Sequence, residues 1–195
     1  DRAALHFQTR SMKKLASLVL FCAPVLLAAQ TPKIIVQGSG APQVFNDLVS
    51  ALAAANANNI MYLSGGDFPV NSDITVDHEV HIVGAGCEPD SAGLTGRTRL
   101  LGPGVLRFTV PASDCSLTGS RISCGLSIGD GGNSSSGCTN MLFARCHFEN
   151  YIGWTASTST VTFEQCYLQN GIQNFPAPCS AVVQNSIVGG SMFGA

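Results

Sequence analysis

Three segments of this 195-residue chain repeat at intervals of twenty residues: MLFARCHFEN from Met141, VTFEQCYLQN from Val161 and AVVQNSIVGG from Ala181. Aligned, Phe143, Phe163 and Val183 share one column, Cys146, Cys166 and Ser186 a second, and Phe148, Leu168 and Val188 a third, while Asn150 matches Asn170. A period this short, with like residues in register, is what a coiled parallel β-sheet requires, because each coil stacks on the one before it. Neighbouring strands lie about 4.8 Å apart, so matched side chains touch. Phe143, Phe163 and Val183 are therefore expected as an apolar ladder inside the coil. Asn150 and Asn170 are expected as an amide ladder at a bend, satisfying backbone groups that the turn leaves unpaired. A bend near residues 144–145 reconciles the parity: Met141 and Phe143 point inward before it, and Cys146, Phe148 and Asn150 after it. Leu142, His147, Glu149, Thr162, Tyr167 and Gln169 then face outward. A β-sandwich predicts hairpin signals instead, and no ladder in register.

Upstream, FNDLVSALAAA from Phe45 places Phe45, Leu48, Val49 and Leu52 on one face of a short helix, with Asn46 or a neighbour as its cap and residues 56–59 as its end. Short β-type runs follow at residues 60–63, 74–76, 80–83, 99–101, 105–110 and 117–122, separated by Gly, Asp, Asn and Pro turns. GDGGNSSSG, residues 129–137, is too polar for a strand and is expected as a loop thrown out of one coil. The helix, the strand ending Leu63-Ser64-Gly65-Gly66, the aromatic Phe68 and then VHIVGAG together resemble the opening of right-handed parallel β-helix proteins of the pectin-lyase-like superfamily. The resemblance covers nearly everything from Val44 onward. It implies an all-β, right-handed parallel β-helix, a solenoid whose short N-terminal helix caps the first coil.

The start of the chain carries a separate signal. Lys13 and Lys14 precede an apolar run over residues 15–27, then small Ala28 and Ala29 and polar Gln30-Thr31-Pro32. This is the order of a secretory signal peptide, with cleavage expected after Ala29. The run is short for a bilayer span of roughly twenty residues, and Pro24 interrupts it. Residues 1–11 are thus expected to be upstream translation, 12–29 the leader, 30–43 a linker and 44–195 the β-helix, with further coils or a cap beyond Ala195. The expected location is outside the cell or on its surface, with no membrane span once the leader is removed.

The 10 basic and 12 acidic residues become 6 and 11 without the leader, so no basic stripe favours nucleic acid as a partner. Seven of the eight cysteines lie beyond the leader, in no CxxC spacing, and no metal site is expected. Stacked Cys146 and Cys166 fit either small buried thiols or a disulfide.

Two polar groupings invite a metal. Asp73, Asp77, His78, Glu79 and His81 cluster in sequence, but strand parity puts at most Glu79 and His81 on one face, so a solvated turn is expected. Asp130 in the Gly-rich loop lacks companion carboxylates for calcium, and no cofactor is expected.

The outward columns around the repeat suit sugar chains better, because rings stack on aromatics while amides and carboxylates bond hydroxyls. Arg145, His147, Glu149, Glu164 and Tyr167 are the candidate carbohydrate-binding residues. Paired aspartates for hydrolysis are missing, and the sole lysine past the leader is Lys33, leaving Arg97, Arg99, Arg107, Arg121 and Arg145 as the arginines available for proton abstraction. The expectation is an exported β-helix that binds or processes a polysaccharide, lyase- or hydrolase-like by resemblance, with catalytic residues unassigned. The alternative is a non-catalytic surface or adhesive β-helix.

Overall fold

The computed structural model describes residues 31–88, 96–129, 137–174 and 178–192. Strands β1 (Ile34–Gln37) and β2 (Gln43–Phe45) and helix α1 (Leu48–Ala54) come first. Six coils of three strands follow. They are β3 (Asn59–Leu63), β4 (Gly66–Pro69) and β5 (Ile74–Val76); β6 (Val80–Gly84), β7 (Thr98–Leu101) and β8 (Val105–Phe108); β9 (Ser116–Thr118), β10 (Arg121–Ile122) and β11 (Gly125–Ile128). The last three coils are β12 (Met141–Ala144), β13 (His147–Phe148) and β14 (Ile152–Trp154); β15 (Thr160–Glu164), β16 (Tyr167–Leu168) and β17 (Gly171–Gln173); β18 (Ser180–Gln184), β19 (Ile187–Val188) and β20 (Ser191–Met192).

Corresponding strands of successive coils pair in parallel to form three sheets, an all-β solenoid. The first sheet runs β3, β6, β9, β12, β15, β18, the second β4 to β19 and the third β5 to β20. Only the first extends further: β1 pairs antiparallel with β3, Ile34 facing Leu63, and β2 pairs antiparallel with β1. Residues 34–37 thus belong to the sheet and not to a linker, because Ile34 and Val36 alternate inward with Ile35 and Gln37 outward.

Helix α1 packs on β1 and β2. Its N-cap is Asp47, whose Oδ1 accepts the Ser50 N–H at 2.8 Å and satisfies one of the donors a helix start leaves open. Leu48, Ala51 and Leu52 are buried in the core, whereas Val49 is exposed and Phe45 lies in β2. The apolar face is thus rotated from the expected set, since Ala51 completes the i, i+3, i+4 stripe that begins at Leu48.

Inside, the column Met61, Ile82, Leu117, Phe143, Phe163, Val183 runs along the first sheet. Phe143 is its centre: its ring stacks on Phe163 (centroids 5.3 Å, 17°) and meets Phe108 and Phe148 edge-on at 5.8 and 5.6 Å. These are the offset and T-shaped arrangements that aromatic quadrupoles prefer.

The bend from first to second sheet explains a second column. Gly119, Arg145, Gln165 and Asn185 occupy it with φ of 63, 51, 53 and 51°, the left-handed region. Each is followed by a small donor, Ser120, Cys146, Cys166 or Ser186. That side chain donates to the carbonyl two residues before it, of Thr118, Ala144, Glu164 and Gln184 respectively. Hydroxyl and thiol share this column because each offers one short donor to a bend carbonyl, and those of Ala144, Glu164 and Gln184 also accept the N–H of Gly119, Arg145 and Gln165 one coil earlier. Cys146 and Cys166 are buried thiols and not a disulfide, and Cys87, Cys115, Cys124 and Cys179 are unbridged as well. Burial pushes the Cys146 thiol well above its ordinary range. The same bend, at Gly119, splits the run 117–122 into β9 and β10.

Asn150 and Asn170 are exposed, so Asn150 does not point inward. Their amides donate to backbone carbonyls of the preceding coil, Asn150 to Ser123 at 2.9 Å and Asn170 to Glu149 at 2.6 Å. Residues 1–29, with the expected leader, and Asp130 lie outside the described residues. Among the described residues no helix is long and apolar enough to cross a membrane.

Candidate functional site

The strands of the second sheet shorten to two residues from β10 onward, one facing out and one facing in. Ile122, Phe148 and Leu168 bury their side chains, so the alternation of a strand turns Arg121, His147 and Tyr167 outward. Register extends the outward column to Asp67, Arg99, Arg121, His147, Tyr167 and Ile187, one residue per coil.

Two arginines stacked on neighbouring strands repel. They are drawn apart by carboxylates on opposite sides. Arg99 forms a two-point pair with Asp67, Nε to Oδ1 at 3.1 Å and Nη2 to Oδ2 at 2.8 Å. Arg121 turns the other way, donating from Nε to Glu149 Oε1 at 2.6 Å and from Nη1 to Glu88 Oε1 at 3.2 Å. The same Glu88 oxygen lies 2.9 Å from His147 Nδ1, and His147 Nε2 is 3.3 Å from Gln169 Oε1. The Ser123 hydroxyl beside Glu149, though outside good hydrogen-bond geometry, and the Arg121 guanidinium hold that carboxyl below the usual carboxylate range; the arginine contact is the firmer of the two.

Past His147 the column changes character. Its ring lies 4.8 Å from that of Tyr167, tilted 39°, and Tyr167 and Ile187 are exposed. One face of the solenoid therefore carries a paired ionic half and an aromatic half, with the Gln169 amide beside the rings.

Of the sequence candidates, His147, Glu149 and Tyr167 come together here. Arg145 occupies the left-handed bend. Glu164 ends β15 on the first sheet. Arg121, Arg99, Glu88 and Gln169 complete the cluster without having been singled out as binding residues. Arg121 and His147 are twenty-six residues apart and β-partners, an interval that the twenty-residue period cannot reveal. Glu88 arrives from the long connection between β6 and β7.

The other polar grouping separates as parity demands. Asp77 Oδ1 contacts His78 Nδ1 at 2.9 Å, Asp73 pairs with Arg107 at 3.2 Å, and Glu79 and His81 share the outer side of the first sheet. Among the described residues no group of three or more His, Cys, Asp or Glu is placed to hold a metal ion. Comparison with protein-family models, curated proteins and solved structures finds no match to this chain.

Proposed function

We propose that the outer face of the second sheet binds a polysaccharide, and that it binds without cleaving. The observation that carries this reading is the exposed Tyr167 ring, backed by His147 and with the Gln169 amide alongside, on a regularly spaced face. Sugar rings pack their C–H faces on such aromatics, and amides serve their hydroxyls. Catalysis is disfavoured by Glu149: a carboxyl held in its ionised form by an arginine is a poor general acid at neutral pH. The resemblance to pectin-lyase-like proteins, with its right-handed coil, and the leader-like start support an exported protein that meets glycans outside the cell or on its surface.

Affinity electrophoresis against neutral and acidic polysaccharides tests the proposal. Retardation by at least one glycan, weakened about tenfold or more by Tyr167→Ala and Gln169→Ala together, is expected. Unchanged mobility of the wild-type chain across the panel, or equal retardation of the double variant, overturns it. Release of unsaturated or reducing ends from a bound glycan would overturn the non-catalytic half alone.

A further inference from the structure

A second constellation lies on the outer face of the first sheet, away from the glycan-binding column. His81 in β6 and Ser116 in β9 are directly paired across neighbouring coils, and Ser116 Oγ is 3.1 Å from His81 Nδ1. The other ring nitrogen, Nε2, faces Glu79 Oε1 at 3.7 Å. That is an ion-pair separation, longer than a hydrogen bond. Glu79 is itself held: with the Asn58 amide turned so that Nδ2 faces it, Asn58 donates to Oε1 at 2.8 Å and Oε2 at 3.2 Å. The Asn58 backbone N–H donates to the Glu79 carbonyl at 3.1 Å, fixing the two residues to each other.

We propose that Ser116, His81 and Glu79 act as nucleophile, general base and orienting carboxylate toward small carboxylic esters. Such a set is recognised by geometry and role, not by order in the chain or by fold. Glu79 flanks Nε2 at 3.7 Å, an electrostatic contact that steadies the imidazolium formed when the Nδ1 lone pair takes the serine proton. His81 and Glu79 are about a third and a quarter exposed, so a substrate reaches them while the sheet fixes their backbones. Register sets Ile60 beside His81 and Leu142 beside Ser116, with Tyr62 and Val83 in the next outward column. These apolar neighbours suit the acyl part of an ester and lower the polarity around the pair.

The chemistry balances within these groups. Ser116 Oγ bonds to the ester carbonyl carbon as its proton passes to His81 Nδ1. The carbon–alkoxide bond then breaks, and the leaving alcohol takes that proton. Water attacks the acyl-serine, giving its proton to His81, and the serine recovers a proton as the carboxylic acid departs.

The test uses the full chain with two probes, a fluorophosphonate and p-nitrophenyl acetate. Expected are phosphonylation localised to the peptide containing Ser116 and a burst of p-nitrophenolate; Ser116→Ala abolishes both. Glu79→Gln is expected to slow the burst at least tenfold while leaving Ser116 in place. Absence of the adduct on wild-type Ser116, an adduct on another serine only, or wild-type ester hydrolysis by Ser116→Ala overturns the proposal. The adduct is read on the unmutated protein, so the outcome does not depend on how any variant folds. Neither probe involves the glycan-binding face, so failure here leaves that reading intact.

Discussion

Replacing Phe143 by alanine removes the ring on which the inner aromatic cluster is centred. The side chain is 1% exposed, and three other phenylalanine rings contact it, Phe163 stacked and Phe108 and Phe148 edge-on. Truncating a buried phenylalanine costs about 3–5 kcal/mol in lost transfer energy and residual cavity. Each aromatic contact is worth about 0.5–1.5 kcal/mol beyond area, which places this site near the upper end, at about 4–5 kcal/mol. The cavity cannot close readily, because its walls belong to three coils whose strands are locked in register. Val183, two coils on in the same column and only partly buried, is the internal comparison; Val183→Ala should cost about 1 kcal/mol. Urea unfolding followed through Trp154, the sole tryptophan, reads both variants, since it is fully buried in the Phe143 coil. Equal losses for the two variants, or less than about 2 kcal/mol for Phe143→Ala, would refute the ladder as the stabilising element.

Three further outcomes follow from the bends and the ion pairs. Gln165→Gly relieves a left-handed non-glycine residue and should raise stability by about 0.5–1 kcal/mol, seen as a rise of a few degrees in Tm. Cys146→Ser keeps a donor for the Ala144 carbonyl and should change stability little; Cys146→Val removes it, but the Gly119 N–H still serves that carbonyl at 3.0 Å, so the hydrogen-bond loss should stay within about 1 kcal/mol in the same titration. The Glu149 carboxyl has a folded pKa below its unfolded value of about 4.3. Its contribution is therefore present above that pH and lost as pH falls through the lower folded value. Urea midpoints measured downward from pH 5 should fall less steeply in Arg121→Gln than in the parent chain.

The three-coil repeat at the C-terminal end was legible because its spacing is constant, with Phe143, Phe163 and Val183 each twenty residues apart. The first three coils were not legible as a repeat. Met61, Ile82, Leu117 and Phe143 form the same column at intervals of 21, 35 and 26, since connections of unequal length leave the solenoid between strands. That irregularity hid the pairing of Arg121 with His147 and of His81 with Ser116, because a strand's partner is set by the sheet and not by sequence distance. Parity alone did place Glu79 and His81 on one side. The corner at Arg145 was legible too, since Phe143 and Cys146 both point inward only if the chain bends near residues 144–145, and Arg145 has a φ of 51°. Residues 34–37 were passed over because four residues of alternation are too few to tell a strand from an apolar stretch of linker.

Antiparallel β1 gives the coil a direction in time as well as in space. Every later strand of the first sheet finds its partner in the turn of chain made just before it, and the earliest turn finds β1, β2 and α1 already synthesised. Each coil has an edge to pair with as it is made, and keeps some donors for the next: the N–H groups of Gly119, Arg145 and Gln165 bond to carbonyls of the following coil. Such a chain can lay down ordered structure as it lengthens, each turn acting as the template for the next. The slow step is then the first complete circuit on the β1–β3 pair, before which there is no surface to copy.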